Sequence, residues 1–125
     1  MTKATIIQTL KYLINFGASG LFAWSTYLSY ALWVQPQIGQ TRQESIHLLK
    51  SGLIDRGLEH VLLELIVISV LTILTRLTQT KIEKQKRPKE LFAITIVNIL
   101  IAGIGLGLGI LNAYNGLIIE IDRHF

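Results

Sequence analysis

Apolar residues fall into three long blocks, and most charged residues lie between those blocks. The blocks cover about 12–34, 61–77 and 91–111. A helix needs roughly 20 apolar residues to cross about 30 Å of hydrocarbon, and the second block reaches that length only with its polar ends. The strict alternation of barrel strands is missing, whereas helices satisfy their own backbone hydrogen bonds in lipid. The pattern therefore predicts a single-domain, all-α integral membrane protein with three transmembrane helices.

A shorter, amphipathic pattern lies between the first and second blocks, over residues 44–58. Its apolar positions recur at helical spacing among charged residues, at Ile46, Leu49, Leu53 and Ile54. Such a pattern is typical of a helix that lies in the plane of a membrane interface. We expect this helix to end where the chain turns inward at Gly57.

The high content of hydrophobic residues agrees with a membrane protein, and the distribution of lysine and arginine predicts its orientation. Half of the 125 residues are hydrophobic, 16% are charged, and cysteine is absent, which excludes disulfides and thiolate metal sites. Arg42, Lys50, Arg56 and Arg123 lie on one side of the predicted spans. The opposite, N-terminal side carries the other cationic residues: Lys3, Lys11, Arg76, Lys81, Lys84, Lys86, Arg87 and Lys89.

Positive charge accumulates on the cytoplasmic side of membrane proteins. The asymmetry predicts a cytoplasmic N-terminus and a basic cytoplasmic loop over 78–90, with the C-terminus on the other side of a bacterial inner membrane or an organellar equivalent such as the thylakoid. Within the loop we expect Lys84, Lys86, Arg87 and Lys89 to attract anionic lipid head groups or an acidic partner. Nucleic acid is not an expected partner.

Each predicted span carries a narrow stripe of polar or small residues. On the third span this stripe falls within about 80° of arc and consists of Asn98, Ala102, Gly105, Gly109, Asn112 and Gly116. Membrane helices associate through small residues and a few interhelical hydrogen bonds, so we expect these stripes mainly to pack the helices together. A hydrated path lined by the same residues is the alternative interpretation.

Glycine occupies every second position between Gly103 and Gly109. In a helix this puts Gly103 and Gly107 nearly opposite Gly105 and Gly109. The run resembles the glycine-alternating inner helix of rotary-ATPase ring subunits over these seven residues, without the hairpin and mid-membrane carboxylate of that family. Two smooth faces allow two close neighbours, and we expect one to be an internal helix and the other a second copy or a foreign subunit.

Glu64 is the main candidate for chemistry, because it lies about one turn inside the second predicted span. His60 lies four residues earlier on the same face. A carboxylate at membrane depth is costly unless it is paired or hydrated, so proton or ion handling by Glu64 and His60 is one interpretation. In the structural alternative, Glu64 reaches outward to pair with Arg56 or His60.

No motif predicts an enzyme, a metal site or a bound cofactor. Glu44 and His47 have the spacing of half a di-iron carboxylate site, but the second half is missing. Trp24 lies at mid-depth and opposite the polar stripe of the first span, where an aromatic side chain suits a neighbouring subunit, a pigment or a lipid tail.

Together these features predict a non-enzymatic accessory, assembly or scaffolding subunit that binds other membrane subunits or copies of itself. Two alternatives stay open at this point. One is a homo-oligomeric ion or proton channel that uses Glu64 and His60. The other is a small redox or metal-binding membrane subunit.

Overall fold

Three long helices make up the fold, in a computed structural model that describes residues 2–33 and 38–125. They are α1 (Lys3–Trp33), α2 (Arg42–Leu77) and α3 (Pro88–His124), and a short π-helix, Thr78–Ile82, continues from α2. All regular secondary structure in the described ranges is helical, which confirms the predicted all-α class. The end of the first predicted span, at Val34, lies outside these ranges.

The helix starts follow from local chemistry. The Thr41 hydroxyl accepts a hydrogen bond from the Glu44 amide at 3.1 Å, which caps the N-terminus of α2. Pro88 occupies the first turn of α3, where a missing N–H group costs nothing. Between the helices, Lys84 adopts a positive φ of 55° as the chain reverses direction.

Two of the helices are longer than a bilayer requires. α2 has 36 residues and α3 has 37. At 1.5 Å per residue each is about 55 Å long, whereas about 30 Å of hydrocarbon must be crossed. By length and composition, α2 with its π-helical continuation and α3 could each cross a membrane.

The predicted turn at Gly57 is wrong, because α2 runs without a break from the amphipathic segment 44–58 into the second apolar block. The apolar side of that segment is buried against α3 rather than left without a protein neighbour. Leu49 and Leu53 belong to one apolar cluster with Leu117 and Ile121. This packing keeps α2 helical.

For the same reason α3 is longer than the third predicted span. α3 continues thirteen residues beyond Leu111, to His124, as the helical partner of the first half of α2. Near the last turn of α3, the guanidinium of Arg42 lies 2.5 Å from the carboxylate of Asp122. The pair joins the start of α2 to the end of α3.

α3 is the central helix and packs along both α1 and α2, whereas α1 and α2 contact each other sparsely. The two ends of the bundle differ. One end, which we call the basic end, contains the start of α1 and the basic loop, residues 78–90. At the other end, which we call the distal end, the last turn of α1 meets the first half of α2 and the second half of α3.

The surface of the bundle is apolar, and its interior contains polar groups as well as the apolar cluster. Leu21, Ile66 and Phe92, for example, are all more than half exposed, whereas Lys11 and Asn98 are buried. A water-soluble bundle normally has the opposite distribution.

Candidate functional site

The buried side of α1 is polar along almost its whole described length. It consists of Lys11, Asn15, Ser19, Thr26 and Tyr30. These positions recur at helical spacing and share one face of the helix. Because this face turns toward α2 and α3, hydroxyl, amide and charged groups line the centre of the bundle.

At the basic end, Lys11 connects α1 to the loop and to α3. Its side chain is only 1% exposed, and its ammonium group donates to the two carboxylate oxygens of Glu83 at 3.1 and 3.0 Å. Lys11 also donates to Glu90. The amides of Gln8 and Gln79 donate to the same Glu90 carboxylate at 2.9 and 3.1 Å. We call these five side chains the Lys11 cluster.

Glu90 is held ionised in this cluster. Burial by itself raises the pKa of the Glu90 carboxyl, but hydrogen bonds from Lys11, Gln8 and Gln79 outweigh burial and lower this pKa from 4.5 to about 2. Glu90 lies in the first turn of α3, just before the apolar block that begins at Leu91. The cluster is therefore a permanently charged anchor at neutral pH.

In the loop at the basic end, the acidic side chains turn toward the interior and the lysine side chains are exposed. Its two carboxylates, Glu83 and Glu90, turn inward to Lys11. Arg87 is half-buried and lies 3.6 Å from Glu90. The exposed charges that remain are all cationic: Lys81, Lys84, Lys86 and Lys89.

One turn along α1 from Lys11, amide and hydroxyl groups join all three helices. Asn15 Nδ2 donates to Thr75 Oγ1 at 2.9 Å, and Asn98 Nδ2 donates to Asn15 Oδ1 at 3.1 Å. The hydroxyls of Thr72 and Thr95 add a link between α2 and α3 at 3.2 Å. Interhelical hydrogen bonds in membranes stabilise helix pairs by about 0.6 to 2 kcal/mol each.

A second polar group lies toward the distal end, around Tyr30. The Tyr30 hydroxyl donates to the Leu53 carbonyl at 2.6 Å, and the Tyr30 ring centroid lies 5.1 Å from that of His60. Glu64 follows His60 by one turn and is buried as well. Arg56 pairs at the surface with Glu59 at 2.9 Å, and not with Glu64 as one interpretation of the sequence expected.

The two polar groups are separated by a tight apolar contact. A Cβ added to Gly105 would lie 2.6 Å from both Cα and Cβ of Ala23. Ala23 falls between Ser19 and Thr26, which are about 10 Å apart along α1 at 1.5 Å per residue. The polar line through the bundle is therefore interrupted near its middle.

The glycines of α3 have two different environments. Gly105 and Gly109 are buried against α1, and a Cβ on Gly109 would lie 3.1 Å from Tyr30 Cβ and 3.2 Å from the Thr26 carbonyl oxygen. Ala102 is buried with them. By contrast, a Cβ on Gly103 or Gly107 would meet no atom within 4 Å among the described residues. We call Gly103 and Gly107, with the exposed Leu100, Ile104 and Leu111 beside them, the open glycine face.

Trp24 is also on the outside of the bundle. Its side chain is 61% exposed, and its ring centroid lies 5.9 Å from that of Tyr27. It therefore does not contribute to packing between the three helices.

Sequence reasoning missed Lys11, Glu90 and Tyr30 as interior residues. Lys11 was counted only as a topology signal, although it shares a helix face with Asn15 and Ser19 at four-residue spacing. Tyr30 continues the same face. That spacing was the available signal, but its partners depend on how the helices dock.

Comparison with known proteins gives no family assignment. No protein-family model matches the chain, and no match was found among curated proteins or solved structures. The arguments below therefore depend on the residues themselves.

Proposed function

We propose that this protein is a non-enzymatic accessory or assembly subunit of a larger or self-assembled membrane complex, and that a transmembrane helix of the complex packs on the open glycine face of α3. The proposal depends mainly on one observation, that the four alternating glycines of α3 lie on two different faces of the helix. Gly105 and Gly109 already receive α1, whereas Gly103 and Gly107 have open space above them. Close backbone approach at small residues is what drives helix association in lipid.

In this proposal all three helices cross the bilayer. The apolar outer surface of the bundle supports crossing by α1 as well, since Leu21 on α1 is as exposed as the outward residues of α3. The basic end faces the cytoplasm, following the excess of lysine and arginine there. The host membrane is a bacterial inner membrane or its organellar equivalent.

The exposed Trp24 adds support for a neighbour on α1. A large aromatic side chain directed away from its own bundle supplies contact area to a second protein at low entropic cost. The exposed lysines Lys84, Lys86 and Lys89, with Arg87, would hold the basic end against anionic lipid head groups.

The channel alternative has less support from the same geometry. A conduit needs a continuous polar line, and the contact between Ala23 and Gly105 interrupts it. For the redox or metal alternative, the described residues contain no group of three His, Asp or Glu side chains close enough to hold one ion.

Crosslinking tests the proposal directly, because the natural chain contains no cysteine. Ile104→Cys puts one thiol on the open glycine face, where Ile104 is 62% exposed. The matched control is Ile66→Cys on α2, at a comparably exposed apolar position. We expect oxidation in native membranes to form a disulfide from Ile104→Cys to a second copy of the variant or to a cysteine of another membrane protein, which mass spectrometry identifies, and to leave Ile66→Cys uncrosslinked.

A bulky substitution provides the complementary test. Gly103→Leu combined with Gly107→Leu fills the open glycine face, and the bundle itself should fold because a Cβ at either position meets no described atom within 4 Å. We expect the assembly isolated in mild detergent to dissociate. Ser69→Leu, an equally exposed small-to-large change on α2, should leave it intact. Retention of the native assembly by the double glycine variant would refute the proposal.

A further inference from the structure

Glu64 is a buried carboxylate for which the assembly function has no use. Its side chain is 8% exposed, and among the residues that the structure describes its Oε1 atom has no hydrogen-bond partner. Buried polar atoms in native proteins are nearly always hydrogen-bonded, and an exception indicates a bound species or a function. Glu64 therefore calls for an explanation of its own.

The register of α1 against α2 shows what lies opposite Glu64. Asn15 contacts Thr75, and Tyr30 contacts His60. The two helices are therefore antiparallel, and a step of fifteen residues toward the C-terminus of α1 matches a step of fifteen residues toward the N-terminus of α2. Thr26, four residues before Tyr30, is therefore level with Glu64, four residues after His60. The Thr26 hydroxyl donates to the Phe22 carbonyl at 2.9 Å.

The other titratable groups near this level lie toward the distal end. They are the Tyr30 hydroxyl on α1 and the His60 ring on α2. At the same level α3 contributes Gly105, Leu106 and Gly109, none of which is titratable or charged. None of the ion pairs among the described residues involves Glu64, and Arg56 pairs with Glu59.

An ionised carboxylate in these surroundings would cost several kcal/mol unless a cation neutralised it. A metal ion needs several oxygen ligands around it, and no group of three ligating side chains exists in the described part of the chain. A proton needs only the carboxylate itself. We propose that Glu64 is a proton-binding site in the interior of the bundle.

Infrared difference spectroscopy tests this site in the intact protein. The full chain is reconstituted in nanodiscs and titrated from alkaline to acidic pH while the carbonyl stretch of protonated carboxyl groups is recorded. We expect the acidic-minus-alkaline spectrum of wild type to contain one component that is lost in Glu64→Gln, beside the components of the exposed carboxyl groups. Glu59→Gln, which alters the exposed neighbouring carboxylate, should keep that component. A spectrum that Glu64→Gln leaves unchanged, or a Glu64 component that does not respond to pH, would overturn the proposal. Neither result bears on the open glycine face, so the assembly proposal is tested separately.

Discussion

Asn15 and Thr75 lie sixty residues apart in the chain, and their side chains form two hydrogen-bond contacts at 2.9 and 3.1 Å. Both residues are almost completely buried. This pair fixes the register between α1 and α2, which otherwise share few contacts.

Asn15→Ala should loosen the bundle. The change removes the contact to Thr75 and leaves the Asn98 amide without its acceptor on Asn15, so the free energy of unfolding should fall by about 1–2 kcal/mol. Thermal unfolding in detergent, followed by circular dichroism, measures the loss. Ser29→Ala removes only a bond to the carbonyl of Ser25 within α1. The prediction is contradicted if both variants unfold at the same temperature.

Lys11→Met should be far more damaging than an ordinary loss of a surface lysine. It leaves the largely buried Glu83 without its cation and leaves Glu90 with only the longer contact to Arg87, and breaking a buried ion pair from one side costs about 3–5 kcal/mol. Lys81→Met, at an exposed position of the same basic end, should change the unfolding free energy little. Adding Glu83→Gln and Glu90→Gln to Lys11→Met should restore part of the loss, since the uncompensated charges are then gone.

The Lys11 cluster also predicts a pH dependence of stability. The pKa of Glu90 is about 2 in the folded protein, against 4.5 without the fold. A lowered pKa means that the carboxylate stabilises the fold fully above 4.5, and that this contribution is lost as the pH falls from 4.5 toward 2. Over that window the melting temperature of wild type should fall more steeply than that of Glu90→Gln. Parallel curves for the two proteins would refute the role of Glu90.

Glycine substitutions on the two faces of α3 should have different effects on the stability of the bundle. Gly105→Ala places a methyl group 2.6 Å from the Ala23 backbone, so α1 must move away from α3 and the folded bundle should be strongly destabilised. Gly103→Ala meets open space and should keep or slightly raise the unfolding temperature, because alanine is the better helix former. Equal effects of the two substitutions would mean that α3 is rotated relative to α1.

Lipid preference should depend on the exposed lysines of the basic end. Replacing Lys84, Lys86 and Lys89 together by alanine should reduce retention of anionic over zwitterionic lipid in native mass spectrometry, by about 1 kcal/mol for each charge. The control replaces Lys50 on the first half of α2, which is equally exposed but far from the basic end.

Much of the interior was predictable from helical spacing. Asn15, Ser19 and Thr26 share one face of α1 by their spacing, and they do lie inside the bundle, as do Asn98 and Gly105 of the stripe of α3. Asn112 and Gly116 belong to the same predicted stripe of α3, but they are exposed. The turn at Gly57 was not predictable, because glycine permits a break but does not impose one. Leu49 and Leu53 find apolar partners on α3, and this burial outweighs the weak helix propensity of glycine.

The sequence by itself determined that the chain is helical and that its outer surface is apolar. Both properties depend on the spacing of residues along one helix, which is local. Only the tertiary structure decided which polar groups meet, and which glycine face stays open. In the sequence, Lys11 looks like any lysine that flanks a transmembrane helix. It becomes the centre of a cluster because α1 packs on α3, which brings Lys11 next to Glu90, 79 residues away in the chain. Such pairings depend on contacts distant in sequence, and the period of a single helix carries no information about them.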